Sequence, residues 1–595
     1  MVLPKRFWIR KENHVFIYAV VIGIVAGLAA MLFSFLLHLF ESFTDSLHLF
    51  SQNTGNSFNQ KLNFISQHKS SALIVFFLPV LGGLICGLIT YLFCKEAEGT
   101  GTDEMINAFH NKEGKMNTTI PIFKSIATIF TLSTGGSGGR EGPISQIGAG
   151  LGVMIANLGG AGARSRRTLM LSGTAAGLGA AFKTPLGGAL TAVEMVYKKD
   201  IESDALIPCF ISSVTAYLVF IAYAGTKPLM QISDKDAAFH FSEIIFYLAL
   251  GILCYIFGFV FIKGFNDTRR LIDKIKIPLW LKPAIGGLLV GFLALMFFEV
   301  SGTSQNYLEH VFSGKLPDFG GRNEVFFIVL SLLCIAVLKI VATACTIGSG
   351  GSAGIFGPSL FVGAMLGAAV GITAQYFLPH NHVSIAAFMV VGMGAFYAGV
   401  ANAPIAGIIM ICEMTGSYNL LPPLIIVSIF TFILSRQISF YKFQVDNRFK
   451  SPAHIWDMKL DVMESIIIKN YFPEFRLLAM VRDDYGFNQV RDLANYYHSS
   501  DFIVVDKDFK YVGVLSMRKV TAAYAKLIKE NTTVIEFADK SVPYVSVDNK
   551  LSDVLNIIMK YDVDKVAVIE EGRAIGYIRS HDIFEAYNKQ TKPAK

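Results

Sequence analysis

Arg140 and Glu141 lie inside GGSGGREGPISQIG, residues 135–148, with apolar sequence on both sides. Ionisable side chains in such surroundings are costly to bury and mark a place that binds or moves charge. Glycines beside them free backbone N–H groups that a bilayer cannot hydrate. Three glycine-flanked helix starts of this kind occur: Gly99-Thr-Gly-Thr-Asp103, Gly138-Gly-Arg-Glu-Gly-Pro143 and Gly350-Gly-Ser-Ala-Gly-Ile-Phe-Gly-Pro358. A helix that begins within a membrane aims its unpaired N–H groups, equivalent to about half a positive charge, at whatever faces it. Such a tip binds an anion, and neutral donors hold it loosely enough to let it go. Glycines also let helices pack closely in lipid, and that plainer use stays open. A phosphate loop fits poorly, because no Gly-Lys-Ser/Thr follows the glycines.

The elements that must position these residues are apolar helices. The chain has 595 residues, of which 53% are hydrophobic and 16% charged, well below the charge of an average soluble domain. Residues Val15–Leu39 contain no Lys, Arg, Asp or Glu, and Ala72–Phe93, Ile244–Ile262 and Leu420–Leu434 are similarly clean. About 20 apolar residues span a bilayer, so some runs suffice and others are too short. A polytopic helical membrane protein follows. Lys5, Arg6, Arg10 and Lys11 precede the first run, which places the N-terminal segment, residues 1–14, in the cytoplasm. That run is too long for a removable signal and lacks a small-residue cleavage site. The Arg164–Arg167 and Arg269–Lys276 clusters read as cytoplasmic loops rather than nucleic-acid contacts. The seven cysteines lie in or beside apolar segments, so no disulfide framework is expected.

The membrane part, residues 15–450, repeats. GSGG occurs within 135–139 and again at 348–351; SGTAAGLGAAFKTPLGGALTAVEM (172–195) matches VGMGAFYAGVANAPIAGIIMICEM (391–414). Gly173 and Gly392, Pro185 and Pro404, and Glu194 and Glu413 are each 219 residues apart. Such duplication is common in transporters whose sites form between half-helices. Counting alone does not fix whether the second half is inverted. Glu194 and Glu413 read as structural buttresses.

Near residue 450 the composition turns polar, and 451–595 reads as a soluble α/β tail. Strand pairs at Asp501–Asp506 with Lys510–Leu515, and Lys565–Ile569 with Ala574–Ile578, are followed by helices at Lys519–Lys529 and Asp582–Lys589; a helix at Lys550–Tyr561 precedes the second pair. Two tandem copies result, about 465–529 and 534–590.

GSGGREGP, GIFGP and GTAAGLGAAFKTPLGGALTAVE resemble, in order and spacing, the CLC family of chloride channels and proton–chloride exchangers, and the tail resembles the CBS-domain pair of many members. The resemblance implies an all-α membrane domain with an inverted repeat and broken helices, followed by a cytoplasmic α/β CBS pair. It also implies a multi-pass homodimer in the plasma (inner) membrane, with one pathway per subunit and both termini cytoplasmic. Carried over, Glu141 is the gating carboxylate, which occupies an anion position and swings away when protonated. Gly142, Ile355 and Phe356 supply backbone N–H groups to the anion, and Tyr441 in SFYKFQV faces it with its hydroxyl. Thr100 stands where many members have serine and keeps a hydroxyl that can donate to the anion; Thr102-Asp103 replaces Ile-Pro, and Asp103 can cap the helix beginning near Glu104.

After Glu194, the position of the proton-relay glutamate of many exchangers is Met195, which carries no proton. Passive conduction of chloride and other monovalent anions, gated by Glu141, is therefore the expected function, with proton-coupled exchange as the alternative. A CBS-regulated magnesium transporter is the distant one, because hard cations want several oxygen ligands and the motifs offer N–H donors. No nucleophile–base set or metal-ligand set is evident, so neither an enzyme nor a metal cofactor is expected. In the tail, the nucleotide pattern Gly-x-x-Thr/Ser-x-x-Asp survives in halves: Ser516 in the first copy, Asp582 in the second. Adenine nucleotide binding between the copies and a module that binds nothing both remain open.

Overall fold

The computed structural model describes residues 14–47, 69–230, 232, 240–314, 324–379, 383–454, 466–471, 480–497, 501–517 and 533–591. The chain forms two compact units, Met1–Ala453 and His454–Lys595. The first is helical. Its helices, in order, are α1 (His14–Leu47), α2 (Lys69–Leu92), α3 (Thr102–Asn111), α4 (Ile120–Ser133), α5 (Glu141–Leu158), α6 (Ala163–Phe182), α7 (Pro185–Glu194) and α8 (Leu206–Ala224). There follow α9 (Ile244–Lys274), α10 (Lys282–Met296), α11 (Gln305–Phe312), α12 (Glu324–Gly348), α13 (Phe356–Phe377), α14 (Ile385–Ala401), α15 (Pro404–Thr415) and α16 (Leu421–Ser435). Among the described residues, seven helical segments are long and apolar enough to cross a membrane, while α4, α14, α15 and α16 are apolar but shorter. Helix α13 is both long and almost wholly enclosed by protein. The basic N-terminal residues and the helix expected at Lys519–Lys529 lie outside the described residues.

The two halves meet head-on at their glycine loops. Gly139 N–H donates to Gly354 O (2.7 Å) and Gly354 N–H to Gly139 O (2.6 Å), a reciprocal antiparallel bridge. On either side Thr128 Oγ1 meets Ser352 Oγ (2.9 Å) and Ser137 Oγ meets Thr343 Oγ1 (3.0 Å). These pairs fix the register at 215 residues, matching Gly135 to Gly350 and Glu141 to Phe356. The two GSGG strings are thus not equivalent positions: Gly136-Ser137-Gly138-Gly139 corresponds to Gly351-Ser352-Ala353-Gly354. The 219-residue register holds only further on, because α13 and the connection to α14 are longer than α5 and the connection to α6. There Glu194, closing α7, accepts from Ile405 and Ala406 N–H (3.2 and 2.6 Å) at the start of α15. Glu413, near the end of α15, accepts from Leu186 and Gly187 N–H (3.2 and 2.8 Å) at the start of α7. Each carboxylate satisfies helix-opening donors that have no intrahelical partner. The two short helices therefore run antiparallel, so the repeat is inverted and the glutamates are buttresses.

Glycine also packs this domain. A Cβ on Gly148 would lie 2.1 Å from Gly173 O, and one on Gly173 2.0 Å from Gly148 O. The second half repeats the contact at Gly363 and Gly392 (2.3 and 2.2 Å). Helices α5 and α6, and likewise α13 and α14, thus touch backbone to backbone, as small residues permit in lipid.

In the tail, β1 (Met480–Arg482) pairs parallel with β2 (Asp501–Val505), which pairs antiparallel with β3 (Tyr511–Ser516). The same order recurs in β4 (Val545–Ser546), β5 (Lys565–Glu570) and β6 (Arg573–Arg579). Further helices are α17 (Phe487–Tyr497), α18 (Leu551–Tyr561) and α19 (Ser580–Thr591). Strands β1 and β4 have three and two residues, too short to show a period-two pattern. Val563, Ala567 and Tyr577 of the second copy share a core with Phe502, Val504 and Val514 of the first.

Candidate functional site

The N-termini of α5 and α13 meet across the Gly139–Gly354 bridge, so their free N–H groups open on one small buried cavity. Its wall includes Thr102, Glu141, Gly142, Ser145, Met195, Ile355, Phe356, Tyr397 and Tyr441. The Glu141 carboxylate accepts from Gly357 N–H at 3.2 Å, in the first turn of the opposing helix α13. It thereby holds a helix-tip donor that an anion would otherwise use. Close backbone approach makes this possible: a Cβ on Gly142 would fall 2.3 Å from Thr100 O, and one on Gly139 would strike the Glu141 carboxylate itself. Phe356 packs edge-on against Tyr397 (4.6 Å between ring centres) and tilted against Phe182 (5.3 Å). The Arg140 guanidinium turns to Phe182, 5.9 Å from the ring centre. No ion pair between Arg140 and Glu141 occurs among the described residues.

The cavity brings together five of the expected residues, Glu141, Gly142, Ile355, Phe356 and Tyr441, and also Met195. Thr100 stands beside this wall rather than on it: its hydroxyl accepts from Asp103 N–H (3.4 Å), and the threonine on the wall is Thr102, whose hydroxyl meets Ser145 Oγ at 3.3 Å and also reaches Tyr441. Asp103 is a correction. Helix α3 begins at Thr102, so Asp103 lies inside it, and its carboxylate accepts from Phe443 N–H (3.2 Å). That bond pins the segment carrying Tyr441 instead of capping the helix.

Three positions escaped the sequence reading. Gln444 donates to Met195 O, Tyr197 O and Ala401 O (3.0, 2.8 and 3.2 Å), tying the Tyr441 segment to the ends of α7 and α14. Lys124 and Lys339, fully buried and 215 residues apart, grip the loops before short helices. Lys124 Nζ donates to Ala97 O and Gly99 O (3.0 and 2.7 Å), Lys339 Nζ to Val300 O, Gly302 O and Ser304 Oγ (3.2, 2.9 and 2.7 Å). Neither forms an ion pair among the described residues; each amine is satisfied by the oxygens it grips. The signal was available: each is a lone lysine in an apolar run, eleven residues before the loop glycine Gly135 or Gly350.

In the tail, Asp582 and Ser516 are not joined in one open site. Asp582 is held by Arg579 through its guanidinium (2.9 and 3.3 Å) and its N–H (3.0 Å). Among the described residues Ser516 Oγ is buried without a hydrogen-bond partner, and Ser516 pairs in register with Asp501. Both carboxylate oxygens that a ribose would need are engaged, so these residues fit a nucleotide poorly as they stand.

Residues 82–436 match the family model described as voltage gated chloride channel, and residues 534–589 that of the CBS domain. A Ralstonia nicotianae protein carrying a ClcB-like chloride channel name is 29% identical over 59% of this chain and 80% of its own length. The H(+)/Cl(-) exchange transporter ClcA of Salmonella arizonae is 31% identical over 61% of this chain and 76% of its own. The crystal structure of a slow cyanobacterial Cl-/H+ antiporter superposes with a TM-score of 0.61 at 18% identity, covering 73% of this chain and 95% of that one.

Proposed function

This chain belongs to the voltage gated chloride channel (CLC) family of anion transporters, and from that premise we propose that it exchanges chloride for protons across a membrane. One observation carries the reading: the Glu141 carboxylate sits on the Gly357 N–H, at the tip of a helix from the other half. A carboxylate and a halide are both monovalent anions and compete for that donor. Protonation removes the carboxylate's claim, so an incoming proton and a departing carboxylate are one event, and the vacated donors accept chloride. Gly142, Ile355 and Phe356 supply backbone N–H groups around the ion, while the Tyr441 and Thr102 hydroxyls line its route from the other side. The passive conduction expected from Met195 yields to exchange because a relative of 31% identity is named as an exchanger. Orientation follows the basic residues: Arg164, Arg166, Arg167, Lys198 and Arg448 mark the cytoplasmic side, and the tail is cytoplasmic. The working unit is a homodimer with one pathway per subunit.

Purified protein in liposomes with an outward chloride gradient and no proton gradient tests the reading. Exchange predicts proton uptake into the vesicles, abolished in Glu141→Gln while chloride still moves. Chloride efflux with no proton movement in the unsubstituted protein would return it to a passive conductor.

A further inference from the structure

Met195 carries no proton, so if a titratable group lies between the cytoplasm and the cavity it is another side chain. Directly after Met195 the structure holds a set of buried polar side chains that the anion site does not use. The Tyr197 hydroxyl donates to Glu202 Oε2 at 2.7 Å and also reaches the Ser451 hydroxyl. Ser451 Oγ meets His110 Nδ1 at 2.7 Å, and His110 Nε2 meets Val196 O at 2.8 Å. A carbonyl only accepts, so Nε2 carries the ring proton, and Nδ1 of the neutral imidazole is an acceptor for Ser451. All four side chains are at least 95% buried. The acid end is one side chain from solvent: Glu202 Oε1 lies 3.8 Å from the partly exposed Arg448, which pairs with Asp204. The imidazole end is on α3, the helix whose first residue, Thr102, lines the cavity.

We infer that Glu202, Tyr197, Ser451 and His110 form the cytoplasmic proton relay of this chain, standing in for the absent carboxyl at position 195. The inference rests on the proposed exchange. In one passage, protonated Glu202 gives its proton to the Tyr197 oxygen, Tyr197 passes its own to Ser451, and Ser451 passes its own to His110 Nδ1. Glu202 ends as a carboxylate, His110 as an imidazolium, and the two hydroxyls are unchanged. The imidazolium then gives up its Nδ1 proton to a water molecule, which restores the starting Nε2–H tautomer; that proton passes on to Glu141, and Glu202 reloads from the cytoplasm. Charged groups near this chain include Arg448 and Asp204 at the acid end, with Arg164 paired to Asp204, Asp200 accepting from Arg448 N–H (3.0 Å), and Arg167 donating to Ala453 O (2.8 Å) beside Ser451. A purely structural cluster needs no unbroken sequence of proton donors and acceptors ending at an imidazole.

Chloride and proton fluxes measured together in liposomes test this, using the full chain and the variants Glu202→Gln, Tyr197→Phe and His110→Gln. The expected result is a proton flux at least tenfold lower in Glu202→Gln and Tyr197→Phe, with chloride flux within about twofold of the unsubstituted protein. His110→Gln, which keeps a donor toward Val196 O, should behave the same way. Unchanged proton-to-chloride ratios would overturn the relay and leave exchange standing. Equal loss of both fluxes would also overturn it, since that marks a structural cluster. If the unsubstituted protein moves no protons against a gradient, exchange itself falls and the relay with it.

Discussion

On the proposed reading, Glu141 carries the pH dependence of transport because only its charged form holds the Gly357 N–H. Glu141→Gln should transport chloride at a rate that varies less than about twofold between pH 5 and 8, whereas the unsubstituted protein should accelerate as pH falls and the gate is protonated. Chloride flux at stepped external pH checks this. Asp103 acts on the ion through Tyr441: without its carboxylate the Phe443 N–H loses its acceptor, and the segment carrying Tyr441 loses an anchor. Asp103→Ala should weaken chloride binding about tenfold, the equivalent of about 1.4 kcal/mol, measurable by calorimetry on the detergent-solubilised protein. Glu141 stood out in the sequence because an acid between glycines has few uses in a membrane, whereas Phe356 was assigned only through the CLC resemblance. Thr102 was not legible. Two hydroxyls flank Gly101, and which of them faces the cavity depends on the left-handed turn at that glycine (φ +79°), a choice that residue types do not express.

At the scale of elements, the domain depends on contacts that only backbone can make. Gly173→Ala would place a methyl carbon 2.0 Å from Gly148 O, a backbone atom that cannot swing away, so folded protein should be lost on size exclusion. Gly392→Ala should fail in the same way, since Gly363 O lies at 2.2 Å. Glu413→Ala strands two N–H groups at the start of α7 and should lower stability by about 2–3 kcal/mol, read as a drop in the thermal midpoint; Glu413→Gln, which keeps one acceptor, should lose about half of that. The 219-residue spacing of Pro185 and Pro404 announced this pair of helices. Their antiparallel packing stayed hidden, because a repeat in sequence carries no direction in space. The 215-residue register of the loops was masked by the accidental recurrence of GSGG three positions out of step. The buried lysines Lys124 and Lys339 would have given the true register.

For the whole molecule, two units with different chemistry share one chain, and the tail's two copies share a core and a polar seam of their own. Arg579 holds Asp582 at the position where the Gly-x-x-Thr/Ser-x-x-Asp pattern has a hydroxyl. Arg579→Thr restores the hydroxyl and frees the carboxylate, so it should raise ATP affinity at least about tenfold over the unsubstituted chain, by calorimetry on the full-length protein; equal affinities would show that Arg579 does not block the site. The composition change near residue 450 made the two-unit division readable, because apolar runs and glycine breaks stop there together. The account as a whole turns on Glu141 and a halide sharing one set of N–H donors. Crystals soaked in bromide test it most directly, through anomalous density compared between the unsubstituted protein and Glu141→Ala. The prediction is a bromide in Glu141→Ala within hydrogen-bond distance of Gly357 N–H, where the carboxylate otherwise sits. A variant with no bromide there, or with bromide bound only away from the tips of α5 and α13, would contradict it.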